Sequence, residues 1–257
     1  MQRTNIAAHQ RTCVQPFLGD ERTWDATARP HLGTDFEALL LAIAGHDLRQ
    51  PLQVLQSAHE LLGMGVRTSS ELRLLQSGQR AIDRLRDQLG LLTSAIRIRE
   101  HTKSFKLMPV CAGDVLRQAY RDNEASALSK GVSVRFVTSQ VMVMSDGLLL
   151  GAALRNLLSN AIKYTQPGGR ILVGCRRCGP YLRIEVHDTG IGIASEQIPR
   201  IFDAFTRLDP VQNDGLGIGL FIVRQALGLL GHRIYAASRP SVGSLFSILA
   251  ARFDSST

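Results

Sequence analysis

Apolar positions in residues 39–62, LLLAIAGHDLRQPLQVLQSAHELL, recur with a helical period. Wound at about 100° per residue, Leu41, Ala44, Leu48, Leu52, Leu55 and Leu62 fall on one side. His46, Arg49, Gln50, Gln53 and Ser57 fall on the other. The pattern runs on through Pro51, which removes an amide donor and bends a helix. It predicts a helix from 36 to about 66. Gly63, Gly65 and the run Thr68-Ser69-Ser70 predict a turn, with Ser69 or Ser70 capping the next helix. From about 71 to 100, Leu75, Ile82, Leu89 and Ile96 recur every seven residues with Leu85 and Leu92 between them. That is a heptad seam, interrupted once by Gly78. Two such helices joined by a short turn cannot bury both apolar faces alone. A pair of hairpins can, as a four-helix bundle about a two-fold axis. Packing against the downstream domain is the other solution, and the length of the seam favours the dimer.

From Phe105 the pattern changes. Strands are predicted over 105–110, 132–137 and 141–145, and helices over 112–128 and 148–164. A hairpin of alternating positions follows at 171–175 and 182–187, then helical patches near 196–205 and 219–230. Strands over 234–237 and 245–250 end the pattern. Helices grouped against a mostly antiparallel sheet make a two-layer α+β domain. The expected organisation is therefore a polar leader over 1–35, a helical hairpin over 36–104 and an α/β-sandwich domain over 105–257.

Composition changes this picture little. Of the 257 residues, 44% are hydrophobic and 20% charged, ordinary for a globular chain. The formal net charge of +8 invites a nucleic-acid partner. The basic residues are scattered, however, with no dense run interleaved with aromatics, so no nucleic acid is expected. No window supplies the roughly 20 apolar residues of a membrane helix. The first 35 residues lack a signal-peptide pattern, and the expectation is a cytosolic protein or fragment. Cys175 and Cys178 form a lone Cys-x-x-Cys running into Gly179-Pro180, a turn signal, so the end of a hairpin is expected there rather than a metal or redox site.

Candidate chemistry concentrates in a few strings. Asn156 and Asn160 lie four apart on the 148–164 helix, hence on one face, with Lys163 and Tyr164 at its end. Amide oxygens are hard ligands suited to Mg²⁺, and Lys163 can answer phosphate charge. Asp188-Thr189-Gly190-Ile191-Gly192 follows a strand, offering a carboxylate for an exocyclic amine beside a close backbone path. Gly215-Leu216-Gly217-Ile218-Gly219 precedes a helix whose N-terminus favours phosphate.

Together with Phe202-Asp203-Ala204-Phe205 and Gly243-Ser244-Leu245-Phe246, these strings resemble the ATP-binding domain of histidine kinases and the wider Bergerat-fold ATPases. The run His46-Asp47-Leu48-Arg49-Gln50-Pro51 resembles the phosphoacceptor box of sensor histidine kinases, with Asp and Gln where Glu and Thr or Asn are commoner. The resemblance covers roughly 36–253. It implies an ATP-dependent protein-histidine kinase and homodimer that phosphorylates His46 and passes the group to an aspartate on a separate response-regulator receiver domain. Asp47 would be the acid-base or orienting partner of His46, and Gln50 would stand where related kinases place the dephosphorylating water. Asn156 and Asn160 would hold Mg²⁺, Lys163 would contact phosphate and Tyr164 would line the nucleotide site. Asp188 would read the adenine amine in a pocket shaped by Gly190 and Gly192. Phe202 and Phe205 would pack under the lid and Arg207 would reach the γ-phosphate. Gly215, Gly217 and Gly219 would wrap the phosphates, and Ser244 keeps the hydroxyl of the commoner threonine. Two other readings are a nucleotide-gated machine of the same ATPase fold and a dimeric adaptor with a dead nucleotide site. The helical hairpin argues against the first and the intact nucleotide strings against the second.

Overall fold

The computed structural model describes residues 24–25, 54–55, 57–58, 68–75, 77–78, 81, 105–137, 139–206 and 217–253. The phosphoacceptor string at His46, Asp47 and Gln50 lies outside the described residues, as do Arg207 and Gly215.

The second helix of the hairpin starts two residues earlier than the expected 71. Thr68, rather than Ser69 or Ser70, precedes the helical residues that begin at 69. Its backbone N–H donates to the Glu71 carboxylate, and the Leu72 N–H donates to the Thr68 carbonyl at 3.2 Å. The sequence Thr-x-x-Glu makes that half of a capping box, in which the acid three residues on satisfies the donor at the cap. Ala58 and Ala81 are buried, and a β-carbon on Gly78 would lie 3.5 Å from the Ala58 β-carbon. The interruption in the heptad seam is thus one point, among the described residues, where the two helical segments come close.

The sandwich domain begins with β1, Trp24–Asp25, contributed from far upstream, and continues with β2 (Met108–Cys111), α1 (Ala112–Lys130), β3 (Ser133–Phe136) and β4 (Met142–Ser145). Next come α2 (Gly147–Tyr164), β5 (Arg170–Cys178), β6 (Tyr181–Asp188), α3 (Gly219–Leu230), β7 (Arg233–Arg239) and β8 (Gly243–Ala251). The main sheet runs β1-β7-β8-β6-β5-β3, and β2 pairs with β4 in a separate ladder. All pairings are antiparallel except β3 with β5. An α/β sandwich results, with α2 packed between α1 and α3 on one face of the sheet.

The α2 helix is central because its sequence is apolar almost all round. Leu149, Leu150, Leu154, Leu157 and Leu158 are all essentially inaccessible to solvent, each contributing on the order of 2 kcal/mol of transfer free energy. Asp146 caps it, accepting from the Leu148 and Leu149 N–H groups at 2.9 and 3.1 Å. At the other end Lys130 donates to the carbonyls of Ile162 and Lys163. A cation at the last carbonyls also opposes the helix dipole.

Two expectations need correction. The patch at 196–205 is not a helix; only the 3₁₀ turn Ile198–Arg200 forms. Pro199 sits inside it and lacks the amide a continuing helix would need, and Phe205 adopts φ of 63°. The first strand is displaced to Met108–Cys111 from the expected 105–110. The hairpin is longer than the expected 171–175 and 182–187, but its turn stands where expected, with Cys178 opposite Tyr181. Cys175 and Cys178 are three apart on a strand, hence on opposite faces, and cannot converge on one ion. Burial pushes the Cys175 thiol up to about 12, so it stays protonated and unreactive.

Candidate nucleotide site

The C-terminal half of α2 is the spine of the site. Asn156 donates its amide to the Ala152 carbonyl at 2.8 Å. That bond fixes the side chain and leaves its amide oxygen to face outward. What it faces is the start of α3: a β-carbon on Gly219 would stand 3.2 Å from Asn156 Oδ1, with the Asn160 amide next, Nδ2 at 3.6 Å and Oδ1 at 3.7 Å. Both asparagines are half-buried. The helix they face has Ile218 at its cap, with no side-chain cap and no acid in the first turn. Uncapped amides at the positive end of a helix dipole, beside the Asn156 oxygen and the Asn160 amide, form a place for an anion and its counter-cation.

One turn further along α2, the Tyr164 carbonyl accepts from the Ile191 N–H at 3.2 Å. A β-carbon on Gly190 would be 2.5 Å from that same carbonyl, so only glycine lets the loop after β6 press onto the helix end. The Lys163 ammonium lies 5.4 Å from the centroid of the Tyr164 ring.

Asp188 ends β6 where the loop begins. Its Oδ1 accepts from the Gly190 N–H at 2.8 Å and from the Ser244 N–H at 3.3 Å. Burial raises its carboxyl above the ordinary range; these two backbone donors and His187 pull the other way. Both backbone bonds go to one oxygen, so Oδ2 remains to accept from a ligand.

Behind Asp188 stands a group the sequence did not single out. Ser238 Oγ donates to the Gly243 carbonyl at 2.9 Å and accepts from the Ile193 N–H at 2.8 Å. Its hydroxyl proton is thereby committed, so the 3.0 Å contact with Ser244 Oγ has Ser244 as donor. Ser238 thus joins the Asp188 loop to the start of β8. The available signal was a hydroxyl within the otherwise apolar run Ile234–Ala237 and its sequel, a poor core choice unless it is bonded.

Gly192 has φ of +70° and its absent β-carbon would be 1.9 Å from the Arg239 carbonyl. Gly217 has φ of +68° and approaches the Thr206 carbonyl, where a β-carbon would stand 2.6 Å away. A side chain is excluded at both by conformation and by space. Phe202 is fully buried and meets Phe246 edge-on at 6.4 Å. Phe205, expected beside it, is 45% exposed. The turn between them is tied to α3 by Arg224, 3.1 Å from Asp203 Oδ1 and stacked 5.6 Å over Phe221.

The structure therefore brings together Asn156, Asn160 and Gly219 at one end of the site, and Lys163, Tyr164, Gly190, Asp188 and Ser244 at the other. Among the described residues, no group of three or more His, Cys, Asp and Glu could hold a metal ion. The donor set that fits a hard divalent cation is the asparagine pair.

Residues 145–253 match the family of histidine kinase-, DNA gyrase B- and HSP90-like ATPases. The chain is 33% identical over 187 residues to the sensor histidine kinase CusS of Escherichia coli O157:H7, covering 70% of this chain and 38% of that protein. It thus spans well under half the length of that curated relative. Full-length ShkA in complex with AMPPNP superposes with a TM-score of 0.56 at 25% identity, over 86% of this chain and 47% of that one. Histidine kinase ThkA in complex with the response regulator TrrA gives 0.62 at 19% identity, over 84% and 64%, a likeness of fold.

Proposed function

This chain is a homologue of the sensor histidine kinases and carries their ATPase domain, and from that premise we propose that it is an ATP-dependent protein-histidine kinase that phosphorylates itself on His46. The observation that carries the reading is the pairing of two ligand-shaped ends of one site: a carboxylate at the end of β6 held by Gly190 and Ser244, and an asparagine pair on α2 against the uncapped start of α3.

Asp188 accepts the adenine amine through Oδ2, which makes the site selective for a base with a donor at that position. Lys163 and the first amides of α3 meet the phosphates, helped by Gly215 and by Arg207 at the γ-phosphate. Asn156 and Asn160 would hold Mg²⁺, which would supply neutralisation of the triphosphate charge. His46 attacks the γ-phosphorus through one imidazole nitrogen: the N–P bond forms, the bridging P–O bond breaks, and ADP leaves with the electron pair. Asp47 takes or orients the remaining imidazole proton. The phosphoryl group then passes to a receiver aspartate of a response regulator, as the ThkA–TrrA pairing suggests, with Gln50 facing that partner.

Residues 36–104 form the dimerising phosphotransfer hairpin and 105–257 the ATP-binding domain, to whose main sheet the leader over 1–35 adds the short strand β1. The contact of Gly78 with Ala58 supports a packed hairpin there. Among the described residues no helix is long and apolar enough to cross a membrane.

The test is incubation with γ-labelled ATP and Mg²⁺, followed by acid and alkali treatment. Label that survives alkali and is lost in acid supports a phosphohistidine. No label, or label stable in acid, overturns the reading.

A further inference from the structure

The face of the main sheet turned away from the helices is buried on one half and bare on the other. Arg183 on β6 is 3% exposed, Leu249 and Ser247 on β8 are each 3%, and Tyr235 on β7 is 8%. All four share that face, since Arg183 pairs with Leu249 and Tyr235 with Ser247 in the ladder. Further across the same face, on β5, Leu172 is 40% exposed and Arg176 is exposed. The face does not bury itself, and an arginine at 3% exposure needs a cover. Among the described residues no element lies over it: α1, α2 and α3 pack on the opposite side.

We propose that this half-face is a docking surface for the chain's own N-terminal segment, residues 1–35, and that β1 is its anchor. β1 is paired with the edge strand β7, Trp24 opposite Ala236 and Asp25 opposite Tyr235. The buried area starts next to β1 and reaches β5 only at the hairpin end, where Cys178 is 8% exposed and clusters with Tyr235 and Leu249. Other stretches of the chain are poorly placed to supply the cover. Residues 207–216 join Thr206 to Gly217, which touch each other on the asparagine side of the sheet. Residues 82–104 lead into Phe105, which packs on the core between helices and sheet. The last four residues follow Phe253, which bonds to Met142, and they are too few to cross three strands. The face suits an apolar occupant: Tyr235 and Leu249 cluster with Cys178 and Tyr181, next to Ala237, while Arg183 is paired with Glu185 on the same face at 2.7 Å. Main-chain pairing at the edge supplies register, and the patch supplies the apolar area.

Two cysteine variants, Leu249→Cys on the covered half and Leu172→Cys on the bare half, test this by site-resolved thiol labelling in the full chain and in a chain lacking residues 1–35. Leu249→Cys is expected to label slowly in the full chain and at least about tenfold faster after truncation, with Leu172→Cys alike in both. Equally slow labelling of Leu249→Cys after truncation overturns the proposal, and so does protection that rises with protein concentration, which points to a second copy. If the truncated chain fails to fold, tryptic cleavage after Arg22 is compared between the full chain and its Leu249→Glu variant. Cleavage about tenfold faster in the variant is expected of a displaced segment, and equal rates overturn the proposal.

Discussion

Gly219 and Asn156 stand so close that a single methyl group on the glycine would lie 3.2 Å from the asparagine's amide oxygen. Asn156 cannot swing away freely, because its Nδ2 is bonded to the Ala152 carbonyl. Alanine at 219 favours the helix by propensity and yet forces either the asparagine or the start of α3 to move. A displacement of this kind, well under 1 Å, is enough to degrade a positioned site by about tenfold to a hundredfold. Gly219→Ala is expected to keep the fold, with an unchanged or higher Tm, and to lose Mg²⁺-dependent ATP affinity and turnover by about tenfold. Titration with ATP, with and without Mg²⁺, checks it.

Asp188→Asn replaces an acceptor with a group that presents either an amide hydrogen or a weaker acceptor to the adenine amine. The backbone bonds from Gly190 and Ser244 hold the side chain in place, so the defect falls on binding rather than folding. Loss of a charge-assisted bond in a buried site costs about 2 kcal/mol, or some thirtyfold in affinity. Because burial raises the Asp188 carboxyl, wild-type affinity is also expected to fall with acid, starting above the ordinary carboxylate range. The variant loses that acid limb. Calorimetry at several pH values measures both effects.

His232 follows α3, 5% exposed, with Nε2 2.9 Å from Ser145 Oγ. Burial holds its ring at about 4, against an unfolded value near 6.5. The folded state therefore binds fewer protons than the unfolded state between those values, and stability rises with pH across that window. Going from pH 7 to pH 5 is expected to remove about 2 kcal/mol through this residue alone. Urea unfolding at the two pH values shows it, and His232→Gln is expected to flatten the slope.

Much of the ATP-binding domain could be read from pattern, because its elements are locally determined. The capped, apolar α2 and the alternating hairpin specify themselves, and Asp188, Gly190 and Gly192 fall where the strand ends. Periodicity was blind where a single residue breaks the period, as Pro199 does within an apolar stretch. It also missed the cap at Thr68, since several hydroxyl residues in a row offer equal candidates and only the reach of Glu71 selects one. Ser238 escaped because its role rests on a bond from Ile193, 45 residues away in the chain. The covered half-face of the sheet was unreadable for the same reason: Arg183 in a strand reads as surface until something lies on it.

The claim on which the account rests is that His46 receives the phosphoryl group, and it is tested most directly by comparing wild type with His46→Gln. Both are incubated with γ-labelled ATP and Mg²⁺, the acid-labile label is counted, and ATP affinity is measured alongside. The account predicts label on the wild type, its loss in His46→Gln, and ATP affinity within about twofold in both, because the proposed hairpin carries His46 while the candidate nucleotide groups lie on α2, α3 and the end of β6. A stable acid-labile phosphoprotein formed by His46→Gln would contradict it.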